Sequence, residues 1–143
     1  MMAENIDAKN YLRQVEMLDI KIKNKLIERQ QWKDIALGIT ASIGGERVQS
    51  SGSKDKMAAA VVKCVDMEKE INDLIDALIN KKSEVISIIE KLNSPTEYKI
   101  LHLRYIQFFS LTDIAENLNK EYSWVTTTHG RALKNVKMLL DKQ

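Results

Sequence analysis

SPTEYKILHLRYIQFFSLTDIAENLNKEYSWVTTTHGRALKNVKMLL, residues 94–140, is the stretch whose punctuation and periodicity decide the fold. Ser94 reads as an N-cap, with Pro95 at the first helical position and Glu97 at the third, an order that satisfies the orphan amide donors of a helix start. Tyr98, Leu101, Tyr105 and either Ile106 or Phe108 carry a helical stripe, which predicts a short helix over Ser94 to Ile106. Gln107, Phe108, Phe109 and Ser110 break it. Ser110 followed by Asp113 forms a second capping pair and predicts a helix over Leu111 to Leu118, with Ile114, Ala115 and Leu118 facing inward. A turn over Asn119 to Glu121 then leads to a last helix, about Tyr122 to Leu140, with Val125, Leu133, Val136 and Leu140 inside. Either Glu121 or Ser123 serves as its cap. Ala115 is small, which permits a close, steep helix crossing, and it precedes Val125 by ten residues, the separation of a helix-turn-helix.

Upstream, Tyr11, Val15, Leu18, Ile22 and Leu26 recur every three or four residues and predict a helix from about Asp7 to Gly38. Residues 43–56, with Gly44, Gly45, Ser50, Ser51, Gly52 and Ser53, have no apolar period and read as an exposed connection. A second helix, about Asp55 to Leu92, repeats Met57, Val61, Cys64, Met67, Ile71, Leu74, Leu78, Val85, Ile89 and Leu92 near coiled-coil spacing, with Lys81 and Lys82 interrupting. At about 1.5 Å per residue it is roughly 55 Å long and needs a partner along its length. The expected architecture is therefore all-α: a long N-terminal, coiled-coil-like helical hairpin over residues 1–93, for partner contact or self-association, followed by a helix-turn-helix domain over 94–143. The hairpin packs either on itself or as a bundle of two copies.

The composition is 44% apolar and 29% charged with a single proline, that of a helix-rich globular chain. No apolar run is long enough for a bilayer and the start lacks a signal-peptide core, so a cytoplasmic location without membrane contact is expected. Cys64 is the only cysteine and reads as a buried structural thiol; His102 and His129 are too far apart for a metal cluster. Asp113 and Glu116 are better explained as a cap and a solvent-facing acid than as paired catalytic carboxylates, and no phosphate loop or nucleophile elbow is present. Neither enzymatic activity, cofactor nor metal is expected. The net charge is only +2, but residues 1–94 carry 15 basic against 15 acidic side chains, whereas residues 122–143 carry Arg131, Lys134, Lys137 and Lys142 against Asp141. This footprint reaches a few phosphates and needs reinforcement at physiological salt.

The quoted stretch resembles region 4 of bacterial sigma factors: "LRY" at 103–105, "IAENL" at 114–118 and "RALK" at 131–134 stand at the separations of that family. The upstream part, including "VQSSGSKDKM" at 48–57, resembles small phage and prophage proteins that share such a module, the RinA-like and ArpU-like late gene regulators. The resemblance implies a transcriptional regulator of phage genes acting in the bacterial host cell. Its last helix enters the major groove of promoter DNA, with a contact to host RNA polymerase as a further implication. Carried over by position, Tyr122, Ser123, Thr126 and Thr127 face bases, Arg131 and Lys134 face phosphates, and Thr112 and His129 complete the contacts. Taken by itself, His129 reads as a helix-face residue and Trp124 as a packing residue. Thr126 and Thr127 stand where sigma factors often present Arg or Gln, so base readout lacks the bidentate geometry of arginine on guanine. Gly130 in mid-helix costs about 1 kcal/mol against alanine, explained by close backbone approach or by tolerance. A homodimer would double the weak footprint. The rival readings are a phage small terminase-like DNA-packaging protein and an interaction protein that targets polymerase without touching DNA.

Overall fold

The computed structural model describes residues 2–38 and 51–143, with side chains over 7–38 and 54–143. Every regular element among them is helical: α1 Met2–Ala36, α2 Ser51–Ile89, α3 Pro95–Leu101, a π-helical turn His102–Ile106, α4 Leu111–Leu118 and α5 Tyr122–Asp141. None of these helices is long and apolar enough to cross a membrane. The expected connection falls partly outside the described residues, at 43–50, but Ser51 to Lys56 belong to α2. Extending an existing helix costs far less than nucleating one, so the run from Met57 carries these polar residues with it.

The chain divides into two compact units, Met1–Leu18 with Leu78–Gln143, and Asp19–Ala77. The boundary expected at 93/94 is not where they part. In the first unit Ala8, Leu12 and Val15 of α1 pack with Val85, Ile88 and Ile89 of α2, Leu101, Tyr105 and Ile106, and Ala132, Leu133 and Val136 of α5. Two of the three terminal helices, α3 and α5, thus share one core with both long ones. The reason is area: short helices cannot bury the apolar back of α5 among themselves, and each large aliphatic side chain sealed from water contributes about 1.5–3 kcal/mol. Lys81, which interrupts the heptad pattern, is accommodated on the rim of this unit. Its ammonium pairs with Glu84 at 2.8 Å and lies 5.5 Å from the ring centre of Tyr11, whose hydroxyl donates to Glu84 at 2.8 Å. Burial and the adjacent carboxylate push the Tyr11 phenol well above its usual range.

The helix expected over 94–106 is not uniform. Ser94 caps it as anticipated, accepting the Glu97 amide at 3.2 Å, but the backbone widens to a π turn in which the Gln107 N–H reaches the His102 carbonyl at 3.1 Å. Phe108 then adopts a positive φ of 65°, a conformation costly for a bulky residue. Two contacts hold it: the Phe109 N–H donates to the Leu103 carbonyl at 2.9 Å, and Arg104 Nη1 donates to the Phe109 carbonyl at 3.0 Å. The Phe108 ring also packs against the core. Arg104 therefore closes a loop.

Glu97 is buried and its carboxylate accepts a 2.7 Å hydrogen bond from Asn135 Nδ2 on α5. A capping residue thus doubles as a clasp between α3 and α5. Asn135→Ala is expected to leave that carboxylate without its donor and to cost about 1–3 kcal/mol, read as a lower denaturant midpoint at unchanged slope.

The second unit is two helices deep. Its buried apolar residues among those described are Ile22, Ala60, Met67 and Ile71. Met67 and Ile71 lie on the predicted α2 seam, but Ala60 takes the inner place expected of Val61, which is exposed like Met57. Lys25–Glu70 and Arg29–Glu68 pairs at 3.2 and 3.8 Å lie along its edge. Cys64, expected buried, is half-buried, with its thiol 3.9 Å from the Arg29 carbonyl.

Candidate nucleic-acid interface

The pair α4 and α5 is built from local chemistry. Ser110 accepts the Asp113 amide at 3.0 Å and starts α4. The helix stops at Asn119, φ 55°, where the Lys120 N–H reaches the Ala115 carbonyl at 2.9 Å and the Asn119 N–H reaches the Glu116 carbonyl at 3.2 Å. This closure usually employs glycine in the left-handed position, and asparagine is among the few other residues that tolerate it. Glu121 occupies the cap position of α5 without a side-chain bond, which decides between the two caps left open by the sequence. A second core cluster fixes the crossing: Ile114 and Ala115 of α4 meet Ile100, Leu103 and Val125. Ala115 keeps the helices close, as the sequence suggested.

On α5 the two faces separate cleanly. Val125, Thr128, His129, Ala132, Leu133 and Val136 are buried, and Thr128 turns its hydroxyl to the Trp124 carbonyl at 2.8 Å. Tyr122, Ser123, Thr127, Arg131 and Lys134 are exposed, Thr126 and Gly130 are half-buried, and Thr112 is exposed on α4. Seven of the eight residues singled out in the sequence therefore have side chains open to solvent to some degree. Thr126 Oγ1 donates to the Ser123 carbonyl at 2.9 Å, so its oxygen is left as an acceptor toward a ligand.

His129 is the exception. It is 8% exposed, and its Nε2 shares a 2.8 Å hydrogen bond with the Tyr105 hydroxyl. The rings stack with centroids 5.7 Å apart. Burial, with Arg104 and Lys9 adding repulsion, brings its imidazole down to about 4, and burial carries the Tyr105 phenol up to about 12. This histidine belongs to the interior, because α5 turns its back to the core at every third or fourth residue and 129 follows 125 on that side. Lys137 also leaves the expected cationic set, pairing with Asp141 at 3.0 Å and lying 3.9 Å from Asp7.

One feature of the surface escaped the sequence reading. Trp124, assigned to packing, is 36% exposed, and Lys120 lies over its ring at 5.2 Å. The four-residue spacing across the helix start was the available signal. Lys120, Arg131 and Lys134 are then the cations that α5 and its preceding turn present to solvent, together with hydroxyls and an aromatic edge.

No curated protein and no solved structure matches the chain. The family model described as "Protein of unknown function (DUF1492)" matches residues 40–139. That match takes in well over half of the chain, from before α2 to near the end of α5, so the chain belongs to the DUF1492 family, a phage-associated domain family.

Proposed function

We propose that this protein is a sequence-specific, DNA-binding transcriptional regulator of phage or prophage genes, in which residues 94–141 act as a sigma region 4-like helix-turn-helix and α5 enters the major groove. The observation that carries the reading is the outer face of α5: Tyr122, Ser123, Thr126, Thr127, Arg131 and Lys134 stand on the side opposite a fully packed back. Hydroxyls and methyls read base edges and cations hold phosphates, so this combination suits a duplex better than an apolar partner. The chain works by binding rather than by catalysis, in the cytoplasm of the bacterial host. Its few free cations make a single copy a weak binder, and a second copy or a contact to RNA polymerase supplies the remaining affinity. Chromatin capture in a lysogenic host tests the function. Enrichment at one or a few promoters is expected, whereas enrichment at a packaging site or at no site overturns it.

Gly130 lies within the same outer face, and a Cβ built there meets nothing within 4 Å. Packing inside the chain therefore does not account for the glycine. Gly130→Ala is expected to raise stability by about 1 kcal/mol, visible as a higher Tm by calorimetry. In the proposed complex the added methyl points toward the duplex, so the same variant is expected to bind DNA less tightly.

A further inference from the structure

Alongside the seam that packs against α1, helix α2 carries a second heptad pattern that no described residue of its own chain covers. Ala58, Val65, Asn72 and Ile79 recur at seven-residue steps, and Val61, Glu68, Ile75 and Lys82 follow each of them by three. All eight are exposed, including Val61 at 51%, Val65 at 60%, Ile75 at 37% and Ile79 at 60%. Such spacing is that of the a and d positions of a helix–helix interface. Isolated apolar residues on a surface are ordinary, but a periodic set with β-branched residues and a single central asparagine is the pattern of a helix that has a partner.

We propose that the partner is the α2 helix of a second copy, running antiparallel. The choice follows from the register. With Val61 of one copy opposite Ile79 of the other, Val65 falls opposite Ile75, Glu68 opposite Asn72 and Ala58 opposite Lys82, and the same pairs repeat in reverse beyond the midpoint. Apolar layers meet apolar layers at both ends of a polar centre, where the Asn72 amide donates to the Glu68 carboxylate. Arg29, 3.8 Å from Glu68 within its own chain, offsets the charge. A parallel pairing in the same heptad frame sets Glu68 against Glu68 and Lys82 against Lys82, and like charges in that position repel. A non-identical partner has no reason to match a sequence whose two halves already match each other. This inference stands apart from the nucleic-acid reading, since none of these residues lies on α5.

Sedimentation equilibrium of the full chain, with and without Val65→Asp and Ile75→Asp together, reads the interface. A dimer mass at high micromolar concentration that falls to the monomer mass in the variant, with helix content retained by circular dichroism, is expected. A wild-type chain that remains monomeric, or a dimer indifferent to both substitutions, overturns the proposal. Orientation is read on an otherwise native surface by spin labelling Lys56→Cys in a Cys64→Ser background. Antiparallel pairing holds the two labels roughly 40 Å apart along the helix at 1.5 Å per residue, whereas labels side by side overturn it. That second measurement decides the matter even if the aspartate variant fails to fold.

Discussion

A fragment of residues 94–143 is expected to lose cooperative folding, although it contains every residue assigned to the DNA-binding face. The core behind α5 is completed from outside that range by Leu12 and Val15 of α1 and by Val85, Ile88 and Ile89 of α2. Each is essentially sealed from water, the most exposed being Ile88 at 2%. At about 1.5–3 kcal/mol for each large aliphatic side chain, their removal forfeits roughly 7–15 kcal/mol, which equals the whole stability of a typical domain, about 5–15 kcal/mol. Thermal melts by circular dichroism distinguish the cases: a broad, low-amplitude loss of helix is predicted for the fragment, and a sharp transition near that of the full chain contradicts it. In the intact chain Leu12→Ala probes the same core, with an expected cost of about 2–5 kcal/mol. The functional consequence is that the start of α1 supports α5 from behind. On the proposed function, changes near residue 12 should therefore disturb nucleic-acid binding without touching the face proposed for it.

Acid is expected to destabilise the protein through His129. The imidazole ordinarily titrates near 6.5 and is lowered to about 4 in the folded chain, chiefly by burial and secondarily by the positive charges of Arg104 and Lys9. Above about pH 6.5 it is neutral in both folded and unfolded states and has no effect on stability. Between 6.5 and about 4 the unfolded chain takes up a proton that the folded chain refuses, so stability falls as the pH falls. Below about 4 both states are protonated and the slope from this group vanishes. Such a difference amounts to something on the order of 3 kcal/mol across that window. Urea titrations from pH 7 to pH 4 check it against His129→Gln, which retains a polar partner for Tyr105 but cannot titrate. The wild type should lose markedly more stability over the window than the variant; parallel curves would assign the acid sensitivity to other groups.

Local signals were legible in the sequence where one element's own residues decide the outcome. Ser94 and Ser110 cap the helices they were expected to cap, and α4 begins and ends at Leu111 and Leu118. The start of α5 near Tyr122 was legible too, although the choice of Glu121 over Ser123 as its cap was not. Ala115 and Val125 meet in one cluster, as a close crossing after a short turn requires. What could not be read were pairings between residues distant in the chain. Tyr105 and His129 are 24 residues apart, and Asn135 and Glu97 are 38 apart, so neither hydrogen bond leaves a periodic trace. The π turn at His102–Ile106 was hidden for a related reason. Its apolar residues serve two different cores, Leu103 one and Tyr105 and Ile106 the other, and the helical stripe read from the sequence took in only the second set. The division at 93/94 followed the caps at Asn93 to Pro95, which mark where a helix ends but carry no information about which helices share a core.

The direct test of a groove-facing α5 is the salt dependence of binding to a duplex taken from the chromatin-enriched region, measured by fluorescence anisotropy for the wild type and for Arg131→Ala with Lys134→Ala. Both side chains are exposed, so the substitutions should leave the fold intact. If both cations hold phosphates, the variant binds more weakly and its log–log salt slope is shallower by about two units, close to one for each lost contact. An affinity and a slope indistinguishable from the wild type would contradict the placement of α5 against DNA.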